Sequence, residues 1–125
     1  MPHKQLLIID DEDDIREVAT LSLELTEGWT VKRASGGAAG TALALTMEPD
    51  AILLDVMMPD MDGPSTLRAL RQQAATMAIP VIFLTAKVQA ADRDRLMQLG
   101  VSGIIAKPFD PLTLGKQIKD VLSWP

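Results

Sequence analysis

Ala51-Ile52-Leu53-Leu54-Asp55 is an unbroken apolar run that ends abruptly on a carboxylate. Three other runs have the same form. Leu6-Leu7-Ile8-Ile9 leads into Asp10-Asp11, Val81-Ile82-Phe83-Leu84 into Thr85, and Gly103-Ile104-Ile105-Ala106 into Lys107-Pro108. A strand covered on both faces reads as a continuous apolar run, because neither face meets water. In open α/β sheets, ligands bind beyond the carboxyl ends of the strands. Parallel strands of one sheet would therefore bring three carboxylates, a hydroxyl and an ammonium to one edge. Such an edge suits a divalent cation and a phosphoryl group.

Helical segments separate these runs. Asp14 to Glu27 carries Ile15, Val18, Leu21 and Leu25 at helical spacing and stops at Gly28-Trp29. Thr30 to Ala34 alternates like a further short strand, and Gly36 to Met47 is helical until Pro49 stops it. Met58-Pro59-Asp60-Met61-Asp62-Gly63 has the composition of a loop. Pro64 suits the first turn of a helix running to about Ala75. Pro80 opens the next strand, and Ala90 to Leu99 is helical up to Gly100. Asp110 is predicted to N-cap a last helix, with Pro111 at its first position and an end near Ser123. About five strands alternate with five helices. That order predicts an α/β fold, a doubly wound five-stranded parallel sheet with right-handed crossovers and helices on both faces. No repeat, linker or low-complexity tract interrupts it, so residues 1–125 read as a single domain.

The composition fits this reading. Of 125 residues, 47% are hydrophobic and 23% charged, as in a folded globular domain rather than a disordered chain. Aromatics make up only 3%, so the core must be built from Leu, Ile, Val, Ala and Met. The formal net charge of -5 argues against a nucleic-acid-binding face, which needs clustered Lys and Arg. Cysteine is absent, which excludes disulfides and thiol chemistry. No apolar run approaches the roughly 20 residues of a membrane span, and Met1-Pro2-His3-Lys4 does not open a signal peptide. The expected location is cytoplasmic.

Asp10, Asp11 and Asp55 carry the chemistry. Two bare carboxylates about 4 Å apart repel by roughly 4 kcal/mol at an effective dielectric near 20. Three together call for a neutralising hard cation, and Mg²⁺ commonly binds one or two carboxylates together with a phosphate. An aspartate in that position can attack phosphorus and become an aspartyl phosphate. The transferring group then needs positive charge and donors on its equatorial oxygens. Lys107 can supply the charge and Thr85 a hydroxyl, with backbone N–H groups of Met57, Met58 and Ala86 as further donors. A carboxylate is already ionised at neutral pH, so no strong general base is required.

Taken together, these motifs resemble the receiver domain of two-component response regulators, the phosphoacceptor family that includes the chemotaxis regulator. The resemblance runs from about Lys4 to Ser123. Asp10-Asp11-Glu12 is similar to the family's acidic cluster. Leu53 to Gly63 is similar to its phosphoacceptor strand and loop, Thr85-Ala86 to its switch position, and Lys107-Pro108-Phe109 to its Lys-Pro motif. The resemblance implies a flavodoxin-like strand order 2-1-3-4-5. It also implies a phosphoryl group on Asp55 and direct Mg²⁺ binding by Asp11, with Asp10 acting mainly through a metal-bound water. The Met57 backbone carbonyl would be a further metal ligand. Thr85 and Lys107 would hold the phosphoryl oxygens. The implied donor is a histidine kinase or histidine phosphotransfer protein. The implied output is a changed partner-binding surface on the fourth helix, fifth strand and last helix, without direct nucleic-acid or membrane contact. Slow self-catalysed dephosphorylation is expected rather than turnover as an enzyme.

The chain departs from the family pattern in two respects. Ile104 stands three residues before the lysine, where the family often has an aromatic side chain that rotates inward as part of the switch. Met57 and Lys87 stand two residues beyond the phosphoacceptor and the threonine, where the family tunes dephosphorylation. An apolar thioether cannot orient an attacking water, so a long-lived phosphoryl group is expected. Two other readings compete, an aspartate-nucleophile phosphatase or phosphotransferase and a pseudo-receiver that only docks. The first usually needs a lid or cap insertion that these short loops lack. The complete set of acids, threonine and lysine argues against the second. With the last helix ending at the C-terminus, the chain reads either as a stand-alone docking protein or as a piece of a larger regulator or hybrid kinase.

Other polar residues have simpler readings. Asp13 and Asp14 read as helix-cap and dipole charges, Asp60 and Asp62 as turn formers, and Gly36 to Gly40 as a helix start. Arg93 and Arg95 with Asp92 and Asp94 read as a solvated helix face. His3 reads as a solvated terminal residue and Trp29 as core or turn packing. For Trp124, exposure and packing on the last helix remain equal alternatives.

Overall fold

Each of the four apolar runs is a strand, and each strand is parallel to its neighbours. The computed structural model describes residues 3–87 and 89–125. Among them the elements are β1 (Gln5–Ile9), α1 (Asp13–Glu27), β2 (Thr30–Ala34), α2 (Gly37–Met47), β3 (Ala51–Asp55), α3 (Gly63–Arg71), β4 (Val81–Thr85), α4 (Ala90–Met97), β5 (Gly103–Ala106) and α5 (Leu114–Leu122). The sheet order is β2-β1-β3-β4-β5. Leu6 pairs with Ala51, Asp55 with Leu84, and Thr85 with Ala106, so the polar ends of the runs share the carboxyl edge.

Successive side chains of a strand point to opposite faces, and the core divides accordingly. Leu7, Ile9, Ile52, Leu54, Val81, Phe83 and Ile104 pack with Ala44, Leu67, Leu70 and Leu96 of α2, α3 and α4. Leu6, Ile8, Leu53, Ile82, Leu84 and Ile105 pack with Ala19, Leu23, Leu114 and Ile118 of α1 and α5. Every residue of β3 and β4 is buried, which is why these two runs contain no solvent-facing alternation.

Helix boundaries differ from the sequence expectation mainly in two places, and α4 also stops at Met97 and not at Leu99. The last helix begins at Leu114 and not at Pro111. Asp110 closes a turn of its own, its carboxylate accepting the Leu112 N–H at 2.9 Å and its carbonyl the N–H groups of Thr113 and Leu114. Helix α3 ends at Arg71, short of Ala75. There the Thr76 hydroxyl donates to the Leu70 carbonyl at 2.6 Å, and turns follow in place of a further helical turn. Asp62 caps the start of α3, accepting the Ser65 N–H at 2.8 Å.

Two glycines are required by geometry. Gly28 ends α1 with φ 70°, the left-handed region that favours glycine. At Gly63, an added Cβ would lie 2.6 Å from the Asp55 carbonyl oxygen and 2.8 Å from the Val56 Cα. That close approach, with the Gly63 N–H on the Val56 carbonyl at 2.9 Å, folds the loop after β3 back onto the strand end. At the opposite edge of the sheet Trp29 is buried, and Trp124 meets it edge-to-face at 5.5 Å between ring centroids. Lys4 Nζ lies 4.6 Å over the Trp124 ring. Trp124 is therefore packed, against Trp29 as well as the last helix. His3 also has a partner, the Thr30 hydroxyl at 2.7 Å.

Candidate functional site

The carboxyl ends of β1, β3, β4 and β5 converge on one cleft of about 350 Å³, lined by Glu12, Ile15, Asp55, Met57, Thr85, Ala86, Lys107 and Pro108. Carboxylate oxygens of Asp10, Asp11, Glu12 and Asp55 lie within 4.8 Å of one another. Lys107 reaches into this group. Its Nζ stands 3.0 Å from Asp10 Oδ2, 3.3 Å from Asp55 Oδ1 and 3.3 Å from Glu12 Oε1. All the residues singled out in the sequence as chemical are thus in one place, apart from Ile104.

Each side chain is held by its backbone setting. Asp10 is fully buried, and both its oxygens are engaged, Oδ1 by the Glu12 N–H at 2.9 Å and Oδ2 by Lys107. Arg16 of α1 donates to the Asp10 carbonyl at 2.7 Å, which fixes the turn between β1 and α1. Asp55 is 2% exposed, and its Oδ1 also accepts the Met57 N–H at 3.3 Å. The Thr85 hydroxyl accepts the Lys87 N–H at 3.0 Å and keeps its own proton free to donate. Asp11 is exposed at the cleft. Met57 is 64% exposed and forms part of the rim.

Four clustered carboxylates share one ammonium, which pairs with three of them, and the electrostatics follow. Burial pushes the Asp55 carboxyl up to about 6, and the Asp10 carboxylate adds to the rise. Lys107 and the Met57 N–H offset this only in part. Burial alone would lower the Lys107 ammonium, but its hydrogen bond to Asp10 and the charges of Asp10 and Asp55 outweigh that and hold it above its ordinary value. The donor set is entirely oxygen, carries excess negative charge and opens to solvent through Asp11 and Glu12. It fits a hard divalent cation that retains waters, as Mg²⁺ does, and among the described residues no histidine or cysteine lines the cleft to favour a softer metal.

Glu12 enters the site more fully than the sequence indicated. It occupies the residue before α1 yet makes no side-chain cap bond. Its carboxylate turns toward Lys107 instead. The available signal was its place in the acidic run from Asp10 to Asp14, which a helix-dipole reading explains equally well. Asp13 and Asp14 lie in the first turn of α1, and Asp13 pairs with Arg16. Ile104 is 7% exposed, paired with Phe83 across β4 and β5 in the core beneath α4.

Residues 6–119 match the sequence model of the response regulator receiver domain. Protein PilH of Pseudomonas aeruginosa is 38% identical over 119 residues, which cover 95% of this chain and 98% of PilH. The chain also matches longer transcriptional regulators, and it spans about half their length. Chemotaxis protein CheY4 of Vibrio cholerae superposes with a TM-score of 0.88 at 30% identity, covering 96% of this chain and 99% of CheY4. The receiver domain of the sensor histidine kinase PA1611 of Pseudomonas aeruginosa superposes with a TM-score of 0.84 at 28% identity, covering 98% and 99%. That structure has a magnesium ion coordinated in its active site cleft. Among the described residues of the present chain, no helix is long and apolar enough to cross a membrane.

Proposed function

Because this chain belongs to the response regulator receiver family of two-component systems, we propose that it accepts a phosphoryl group on Asp55 from a phosphohistidine of a kinase or phosphotransfer protein. The observation that carries the reading is the placement of Lys107 within 3.3 Å of both Asp10 and Asp55 at the mouth of an all-oxygen cleft. An Asp55 oxygen attacks phosphorus as the phosphorus–nitrogen bond to the donor imidazole breaks. The imidazole leaves with the bonding pair and takes up a proton. Asp55 Oδ1 is held by the Met57 N–H and Lys107, which leaves Oδ2 as the oxygen that attacks.

Asp11 and Asp55, with the Met57 carbonyl, would hold Mg²⁺, and Asp10 would act through a water because its oxygens are already engaged. Glu12 joins this set as a further outer carboxylate. When bound, Mg²⁺ supplies positive charge to the equatorial phosphoryl oxygens. Lys107 then exchanges its contact with Asp55 for a phosphoryl oxygen, and the Thr85 hydroxyl donates to another. Both groups interact differently with the loaded and unloaded states, which is what a population shift requires. The displaced surface is that of α4, β5 and α5, with a protein as the downstream target and no direct contact to nucleic acid. With Ile104 in place of an aromatic ring, movement at Thr85 is transmitted by core packing under α4. The domain acts as a phosphoacceptor with slow self-dephosphorylation, in the cytoplasm, where its donor is phosphorylated.

The test is incubation with a small phosphodonor and Mg²⁺, followed by mass mapping of the acid-labile adduct. The adduct is expected on Asp55 and is absent from Asp55→Asn. An adduct on another residue, or none at all with Mg²⁺ present, overturns the reading.

A further inference from the structure

Charge is unevenly placed along this acidic chain. There are 17 Asp and Glu residues, and none lies from Gly63 to Ala91. The charged side chains of that stretch are Arg68, Arg71 and Lys87. Two of them line a surface groove of about 360 Å³ between α3 and the end of α4, formed by Pro64, Leu67, Arg68, Arg71, Gln72 and Leu99. None of these residues lines the cleft around Asp55.

The groove combines an apolar floor with a cationic wall. Leu67 is 3% exposed at its base, and Leu99 is 42% exposed on the side that follows α4. Among the described residues neither Arg68 nor Arg71 forms an ion pair. Arg71 donates through one nitrogen to the Ile79 carbonyl at 2.8 Å, which pins its guanidinium at the wall. Arg68 touches the Ser65 hydroxyl at 3.1 Å and is otherwise exposed. The nearest acid in sequence, Asp62, caps α3 and feels the Arg68 charge only as a minor influence, without forming an ion pair with it. A guanidinium has five donors in a planar fork that matches a carboxylate, so both arginines retain unused capacity.

We propose that this groove is a docking site for an acidic amphipathic helix of a partner protein, distinct from the site of phosphoryl transfer. Leucine-like side chains at helical spacing would lie over Leu67 and against Pro64 and Leu99. Flanking Asp or Glu side chains would meet Arg68 and Arg71. The apolar floor distinguishes this from a site for a free anion, and helix-in-groove recognition uses this combination of apolar anchors and rim charges. A second copy of this chain is the competing occupant. Its α1 exposes Val18, Leu21 and Leu25 beside the exposed Glu17 and Glu24, an acidic apolar stripe of the same kind.

The experiment titrates the isotope-labelled full chain with two synthetic blocked helical peptides, one with leucines at helical spacing flanked by glutamates and one with lysines replacing the glutamates. Expected are saturable amide shifts at Leu67, Arg68, Arg71, Gln72 and Leu99 with the glutamate peptide. The lysine peptide should bind at least tenfold more weakly. Arg68→Glu, an exposed position, should cost the glutamate peptide a similar factor while circular dichroism stays unchanged, and Leu99→Asp should do the same independently. Equal binding of both peptides, shifts centred elsewhere, or no saturable binding overturns the proposal. So does a concentration-dependent shift of the groove without peptide that Leu21→Glu abolishes, because the occupant is then a second copy.

Discussion

Lys107 Nζ lies 3.3 Å from Asp55 Oδ1, so the end of β5 is tied electrostatically to the end of β3 across the intervening β4. The same ammonium meets the fully buried Asp10 at 3.0 Å, which makes it the common counter-charge of two strand ends.

Removing that counter-charge leaves two buried carboxylates with backbone N–H partners but no cation. Lys107→Met should destabilise the fold at pH 7 by about 2–4 kcal/mol in the absence of divalent cations. Adding Asp10→Asn should recover much of the loss, because the two residues act as a pair. Urea denaturation of the two single variants and the double variant measures this coupling, and strict additivity would refute it.

Asp55 gives stability a pH dependence of a defined sign. Its folded-state value of about 6 lies above the ordinary 3.8, so between these values the folded protein holds a proton that the unfolded chain has released. The associated stability is fully present below about pH 4 and is lost as pH rises through about 6. Asp55→Asn, which carries no charge at any of these pH values, should therefore match the parent near pH 4. It should exceed it by roughly 1–2 kcal/mol at pH 7, a range discounted for solvent screening at the cleft mouth. Denaturation midpoints across pH 4 to 7 provide the check, and a constant difference would contradict the assignment.

Magnesium should reverse the same penalty. At a free concentration a hundredfold above its dissociation constant it should stabilise the protein by about 2.7 kcal/mol. The gain should be smaller at pH 5, where the ion competes with the Asp55 proton. Asp11→Asn should weaken it markedly, while Glu12→Gln should weaken it less. Thermal melts with and without a chelator distinguish these cases.

Met57 places an exposed thioether on the cleft rim, where it offers nothing to position a water. Met57→Asn should accelerate phosphate release from the phosphorylated, Mg²⁺-loaded protein by roughly tenfold. Release from the parent at or above the rate of the variant would contradict this.

Much of this arrangement could be read from the sequence for a physical reason. Buried parallel strands have no solvent face, so each of β1, β3, β4 and β5 announces itself as an apolar run, and its first polar residue marks the carboxyl edge. The order of the strands in the sheet came from family resemblance, since periodicity carries no information about neighbours. The features that local pattern does not encode are decided by competing side-chain bonds. Asp110 closes a turn that delays α5, and the Thr76 hydroxyl bonds the Leu70 carbonyl where α3 was expected to continue. Glu12 was ambiguous because a carboxylate near a helix start has two good uses. Trp124 finds its partner in Trp29, near the other end of the chain, a contact that no local pattern encodes.

Gly63 carries a consequence of its own. Because a methyl group at that point would collide with the backbone of Asp55 and Val56, the shape of the cleft rim depends on one achiral position. An exposed rim residue such as Met57 can change in chemistry without disturbing that shape, provided that this point stays bare and Asp62 keeps its cap on α3. The exposed chemistry of the rim and the path of its backbone thereby rest on different residues of a single loop.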